Sequence, residues 1–412
     1  MKKRITYFDL AKGIGIILVV LGHMENISGE LRTWISSFHM PLFFVISGML
    51  IAAKNEVKVC GKDFSNTKNE LNTQIIKAAK GLLIPYFWFS LIYIPIDIMN
   101  LYIENVDMHT FVQNILDSAT FAGVSVMWFL PALLIAEIVA MIVICKLPEL
   151  LSSLLKKENK SYEENEVVIY IAILVLSLFI SITSHGIWNK IRPVYDNNLG
   201  SYAITTSLGL IRTILRGMAM NVHVVAGYIM YNLISFVEEK YIKKKVNGLD
   251  LSASNAKELE ATAAKSFRGL GLALGVILFV LNMGFCLKNG AVDNHFLTLN
   301  KLTLYYLCAF LGSMAIILIC KGLDTIPFIE FLGKNSLIIM ATHLQCYLLY
   351  AGILIAIAID THVTRAKSYI YMFNSVLFTM LFEVIVILVI NKFFPFIVGK
   401  GSIKNLFKKS QN

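Results

Sequence analysis

The stretch FDLAKGIGIILVVLGH, residues 8–23, is apolar over most of its length but carries Asp9, Lys12 and His23. A helix needs about 20 mostly apolar residues to cross the hydrocarbon of a bilayer. Ionisable side chains are costly in that setting, and those retained there generally have a function. The stretch therefore predicts a membrane-spanning helix that contributes to a functional site.

The whole chain has the same apolar character. Of its 412 residues, 57% are hydrophobic and 16% are charged, whereas soluble proteins average roughly 45–50% and 25%. Its mean hydropathy is +0.67. This composition excludes a disordered chain, a coiled coil and an ordinary soluble enzyme, and it predicts an all-α polytopic membrane helix bundle.

Ten apolar runs are long enough to be spans, and both termini are predicted to be cytoplasmic. The runs are 8–28, 34–53, 78–98, 126–145, 166–183, 217–236, 268–287, 302–320, 335–358 and 369–393. Residues 199–216 carry Arg212 and Arg216, and they predict a re-entrant or interfacial piece. Residues 1–398 form a single predicted membrane domain, followed by a basic cytoplasmic tail, 399–412.

Charge decides the predicted orientation. With the N-terminus inside, the cytoplasmic segments carry roughly three times as many Lys and Arg residues as the external ones. The net charge of +10 then reflects topology and contact with anionic membrane lipids. The basic residues are scattered without a binding motif, so no nucleic-acid partner is predicted. The six cysteines lack metal-ligand spacing, and no metal is predicted.

Lys12 and His23 share one face of the first predicted helix. Eleven residues amount to three turns and about 20°, with an axial separation of roughly 16 Å. Asp9 precedes Lys12 by three residues, the spacing of a neighbouring ion pair. His39 begins the second run, which returns inward, so it is predicted at the depth of His23. The structural alternatives are snorkelling for Lys12, helix contacts for His23, and an interfacial position beside Pro41 for His39.

Five further residues complete the candidate site. Lys77 and Lys80 open the third run three residues apart, as an anion cradle or as a positive-inside anchor. Glu137 near mid-membrane, Trp128 in the outer aromatic belt and His343 in the ninth run are candidate substrate-binding residues. The structural alternatives are pairing with another polar group for Glu137, interfacial anchoring for Trp128, and packing within the bundle for His343.

Five segments resemble the acyltransferase family 3 integral-membrane proteins. They are FDLAKGIGIILVVLGH, FHMPLFFVISGM, KAAKGLLIPYFWF, MWFLPALL and GKNSLIIMATH. The resemblance implies transfer of acyl groups, commonly acetyl, to sugar hydroxyls of cell-envelope glycans. It is nearest to the compact sugar O-acetyltransferases, in a bacterial-type cell membrane. It implies that Lys12 and His23 are the family's basic–x10–His pair, and that Lys77 and Lys80 stand where relatives often have two arginines.

The expected chemistry follows from these residues and from the resemblance. The expected donor is acetyl-CoA, whose phosphates would dock on Lys12, Lys77 and Lys80, and the expected acceptor is a glycan. His23 would act as general base, or as a briefly acylated group, with His39 orienting it or stabilising charge. A proton-coupled transporter or glycan flippase is the main alternative, and a non-catalytic membrane sensor is a third. The particular acceptor, the acyl chain and the oligomeric state stay open.

Overall fold

The structure is a computed structural model that describes residues 4–24, 27–54, 64–103, 106–155, 166–246, 253–323, 325–359 and 369–400. Its regular structure within these ranges is helical. The helices are α1 Thr6–Gly22, α2 Gly29–Ser36, α3 His39–Ala53, α4 Phe64–Ile103, α5 Met108–Ala119, α6 Phe129–Leu155, α7 Glu166–Asp196, α8 Tyr202–Val246, α9 Ala253–Asn289, α10 Leu302–Gly322, α11 Pro327–Lys334, α12 Ser336–Thr342, α13 Leu348–Ile359 and α14 Tyr369–Phe393. The all-α prediction is confirmed. Residues 401–412 of the predicted basic tail lie outside the described residues.

Eight of the ten predicted runs lie in described helices that are long and apolar enough to cross a membrane. The first run, 8–28, corresponds to α1, which has only 17 residues. The ninth run, 335–358, corresponds to two shorter helices, α12 and α13. The second run, 34–53, is among the eight because α2 and α3 together form the candidate span Gly29–Ala53, although α3 alone has 15 residues. The bundle is therefore polytopic, and three of its runs are built from helices that are each shorter than a full span.

Helix α8 corrects the interpretation of residues 199–216. We predicted a re-entrant or interfacial piece there because two arginines interrupt the apolar pattern. In the structure these residues enter one continuous 45-residue helix. Both arginines are buried, and their guanidinium groups lie over aromatic rings, with Arg212 4.8 Å from the Tyr195 ring and Arg216 4.6 Å from the Trp128 ring. Cation–π contacts offset part of the cost of the buried charges.

The ninth run is a broken helix. Regular structure stops after Thr342 and resumes at Leu348, and Tyr347 has a φ of 59°. Neighbouring groups bind the interrupted backbone and side chains: Tyr93 donates a hydrogen bond to the carbonyl of Ala341, and Tyr347 donates to Asn100 at 2.7 Å. Irregular backbone at membrane depth is tolerated where protein satisfies it in this way.

Small residues bring α3 and α8 into close contact. A β-carbon built on Gly48 would overlap the backbone carbonyl of Val224, and one built on Gly227 would overlap that of Val45. The two glycines therefore permit a close approach of the helices, as small residues do in membrane bundles. This contact fixes α3, which begins at His39, against the centre of the bundle.

The outer faces of several helices are apolar. On α9, for example, Val276, Ile277 and Val280 are each at least half exposed, and a lipid environment would cover such a surface. Below, the end of the bundle that carries Arg4 and the start of α1 is the inner end, and the end that carries His23 is the outer end.

Candidate active site

A single cavity of about 760 Å³ extends along α1 through the bundle. Helices α1, α2, α3, α4, α6 and α12 line it, together with the 290–301 loop between α9 and α10. Its ionisable lining residues are Lys12, His23, Arg32, His39, Lys54, Lys77, Glu137, Asp293 and His295. A cavity of this size is in the range of small-molecule sites.

The polar residues gather at the two ends of this cavity. Lys12, Lys54 and Lys77 lie at its inner end, and the histidines lie at its outer end. Mostly apolar side chains, among them Ile16, line the part between, where the hydrogen-bonded Ser47 and Glu137 are also on the wall. The arrangement suits a ligand with an anionic end, a slender middle and a reactive group that reaches the histidines.

Lys12 and His23 line the same cavity, as their spacing on α1 predicts. Lys12 forms an ion pair with Asp9 at 2.9 Å, so the predicted neighbouring pair is confirmed. Asp9 also accepts two hydrogen bonds from Arg4. The buried carboxylate thus holds the Lys12 ammonium at the inner end of the cavity.

His23 has a defined tautomer in its neutral form. Its Nδ1 lies 2.8 Å from the carbonyl oxygen of Val19, which can only accept, so Nδ1 carries the proton. The lone pair of a neutral ring is then on Nε2, which is the form a general base requires. His39 has the same arrangement, with Nδ1 2.7 Å from the carbonyl of Ile35.

His343 packs against the ring of His23. The two rings meet edge to face with centroids 5.1 Å apart, and His343 is fully buried and lies outside the cavity lining. Its Nδ1 is 2.8 Å from the carbonyl of Ile339, while its Nε2 has no hydrogen-bond partner among the described residues. His343 was predicted as a substrate-binding residue; the structure places it against the candidate base instead of on the cavity surface.

The structure separates Lys77 from Lys80. Both lysines are exposed on α4, but Lys77 lines the inner end of the cavity and Lys80 is absent from the cavity lining. Positions three apart on a helix differ by about 60° in direction, so only one of the two lies at the edge of the cavity. Of the two lysines predicted to form an anion cradle, only Lys77 lines the cavity, and Lys54 lines the same end.

Glu137 and Trp128 both line the cavity, and each has partners. Ser47 donates a hydrogen bond to the Glu137 carboxylate across the α3–α6 contact. The Trp128 ring contacts the Arg216 guanidinium at 4.6 Å and stacks with the His295 ring at a centroid distance of 5.4 Å. The structural pairing we considered for Glu137 is thus present, and it leaves the carboxylate on the cavity wall.

The 290–301 loop supplies site residues that sequence reasoning missed. His295 lines the outer end of the cavity; burial and the positive charges of Arg216 and Arg212 lower its pKa to about 2. It is therefore neutral at physiological pH. Trp188 fixes this loop by a 2.8 Å hydrogen bond to the carbonyl of Phe296. The sequence signal was a histidine beside an aspartate in a polar loop, which is common and unspecific.

Arg32 was missed for a similar reason. It lies on the short helix α2, lines the outer end of the cavity and donates a 2.6 Å hydrogen bond to the carbonyl of Met24. In the sequence it is one arginine in an interfacial segment, and only the fold places its permanent charge beside His23.

The sequence also matches a known protein family. Residues 5–392 match the acyltransferase family 3 model, described as an acyltransferase domain, and the chain belongs to that family. It is a multi-pass membrane acyltransferase. No curated protein and no solved structure matched the chain in the searches made.

Proposed function

We propose that this protein transfers an acetyl group from acetyl-CoA to a hydroxyl of a cell-surface or lipid-linked glycan at a bacterial-type cell membrane. The observation that carries the proposal is the single cavity with Lys12 at one end and His23 at the other. Family membership supports the acyl-transfer chemistry. The acetyl-CoA donor and the glycan acceptor are what the resemblance to acyltransferase family 3 implies, and the basic inner end of the cavity is compatible with the donor's phosphates.

The inner end of the cavity fits an acyl-CoA. Lys12, Lys54 and Lys77 place three ammonium groups there, and ammonium groups bind phosphates as point charges. The donor's phosphates would stay at this end while its slender pantetheine arm extends along the apolar middle. The thioester would then reach the histidines at the outer end.

At the outer end, His23 would act as the general base. Its Nε2 takes the proton of the acceptor hydroxyl as that oxygen attacks the thioester carbonyl. The tetrahedral intermediate collapses with loss of the CoA thiolate, which takes up the proton and leaves as the thiol. The products are the O-acetyl ester and free CoA.

Arg32 is a better candidate than His39 for stabilising the oxyanion that forms in this step. His39, with its Nδ1 bonded to a carbonyl, presents a lone pair in its neutral form and donates from Nε2 only as the imidazolium. The Arg32 guanidinium is permanently charged and always a donor. His39 then orients the acceptor or accepts a hydrogen bond from it.

Charge reversal at Lys77 should weaken donor binding. Lys77→Glu removes an ammonium group from the inner end and adds a repelling carboxylate, so we expect the KM for acetyl-CoA to rise about tenfold or more, with a smaller change in kcat. Lys80→Glu is the matched control, because Lys80 is an exposed lysine on the same helix that does not line the cavity. Equal KM values for the two variants would contradict a donor site at the inner end.

The proposed activity is tested by release of free CoA. Purified protein in detergent is given acetyl-CoA with and without total membrane glycan, and the new thiol is measured together with labelled acetyl in the glycan. We expect glycan-dependent release, and parallel reactions with other acyl-CoAs define the acyl chain. Release no faster than that of His23→Ala protein would reject the proposal.

A further inference from the structure

Two buried arginines lie just behind the outer end of the cavity. Arg212 and Arg216 are one turn apart on α8 and face the same way; their exposed fractions are 3% and 0%. Arg212 lies 4.8 Å from the Phe296 ring and Arg216 lies 4.6 Å from the Trp128 ring. Two like charges this deep are costly unless something compensates them.

Their hydrogen-bonding capacity is largely unused. The Nε and Nη1 atoms of Arg212, and all three guanidinium nitrogens of Arg216, have no acceptor among the described residues. A buried guanidinium normally has its donors paired. Aromatic faces compensate part of the charge but accept no strong hydrogen bonds.

The nearby carboxylates are engaged elsewhere. Asp293 accepts hydrogen bonds from the backbone N–H groups of His295, at 2.7 Å, and Phe296, at 3.2 Å. Asp117 accepts from Gln113 at 2.7 Å. Asp293 and Asp117 lie near enough to attract Arg216 and Arg212, respectively. Within the described ranges, however, neither arginine forms an ion pair at contact distance, so neither guanidinium group has a directly bound anion.

One layer of side chains separates these charges from the cavity. Trp128 and His295 line the cavity and stack on each other, and Arg216 lies over the Trp128 ring. The Nε2 atom of His295 is also buried and has no hydrogen-bond partner in the part of the chain that the structure describes. An anion at the outer end, beside these two rings, would face the Arg216 guanidinium across the Trp128 ring, with Arg212 one turn away on α8. Coulomb attraction across such a buried layer is little screened.

We infer that the outer end of the cavity is an anion subsite, in which Arg212 and Arg216 hold a carboxylate or phosphate group of the acceptor. The inference rests on the proposed function and specifies its substrate class: the acceptor is an acidic or phosphorylated glycan. The charged group would anchor the acceptor so that a neighbouring hydroxyl meets His23. A neutral glycan would leave both arginines without a directly bound anion.

Anion binding can be measured without turnover. Thermal unfolding of the purified protein is followed with glucuronate, inorganic phosphate and pyrophosphate, and with glucose and sodium chloride as neutral and ionic-strength controls. We expect at least one of the three anions to raise the Tm in a saturable manner and the controls to leave it unchanged. Glucuronate alone indicates a carboxylate site, and the phosphates alone indicate a phosphate site.

Substitutions of the two arginines test whether the anion binds near them. Arg216→Gln and Arg212→Gln should each raise the apparent Kd of the effective anion about tenfold or more, because each removes a buried positive charge that attracts the anion. The exposed Arg268→Gln, on α9, is the matched control and should bind like the parent protein. If one α8 variant does not fold, the other decides.

Three results would overturn the inference: stabilisation by glucose or salt equal to that by the anions, no anion effect at all, or an effect lost in Lys77→Glu but kept in the α8 variants. The last would place the anion at the inner end. Because no acyl donor is present, these outcomes are independent of CoA release, and so a failure here is distinguishable from failure of the proposed activity.

Discussion

Replacing His23 with alanine is expected to lower acyl transfer by about 10²–10⁴-fold, the usual contribution of a positioned general base. His23 faces the cavity, and its bond to the Val19 carbonyl leaves the Nε2 lone pair for the acceptor proton. The loss should fall on kcat, with the KM for acetyl-CoA changed little, because the proposed site of the donor phosphates is at the inner end, away from His23. Initial rates of CoA release at several donor concentrations give both parameters.

The matched control for this variant is His109→Ala. His109 lies on α5, where it stacks on Tyr202 and contacts the carbonyl of Gly200, and it is absent from the cavity lining. We expect His109→Ala to transfer acetyl at the parental rate. Near-parental turnover by His23→Ala would remove His23 from the mechanism.

Gly48→Leu is expected to disrupt folding of the bundle. The first side-chain carbon would already overlap the carbonyl of Val224 on α8, and a helix backbone cannot yield as a flexible side chain can. Overpacking of this kind costs about 1–3 kcal/mol, occasionally more, and here it also separates α3 from α8. We expect a marked fall in the detergent Tm and in the yield of monodisperse protein.

Gly284→Leu serves as the comparison. A β-carbon at Gly284 on α9 would meet no atom within 4 Å, so this substitution should leave the Tm close to that of the parent protein. Equal Tm values for Gly48→Leu and Gly284→Leu would show that α3 and α8 are not in the close contact described.

Hydropathy predicted most of the fold because the bilayer imposes one strong rule. A span must be long, apolar and helical, so eight of the ten runs correspond to long described helices. The rule failed where tertiary contacts decide. Hydropathy predicted no continuous helix at Arg212 and Arg216, because it does not account for the aromatic rings of other elements that lie against their guanidinium groups. It also missed the break at 343–347, a segment without Pro or Gly.

The site was predictable where it follows helical periodicity. Lys12 and His23 lie on one helix, so their spacing alone placed them on one face. The same reasoning could not separate Lys77 from Lys80, because which side of α4 faces the cavity depends on its neighbours. Arg32 and His295 belong to segments whose position is set by contacts distant in sequence, and no local pattern distinguishes them.

In the proposed mechanism, acetyl-CoA enters the cavity from the inner end, and its thioester reaches His23 while its phosphates stay near Lys12. Sealed membrane vesicles of known orientation test it most directly, with labelled acetyl-CoA supplied to one face at a time and label then measured in the glycan. The charged donor does not cross the bilayer by itself. The account predicts labelling only when acetyl-CoA is on the face that bears Lys12, and none in His23→Ala vesicles. Equal labelling from the opposite face would contradict it.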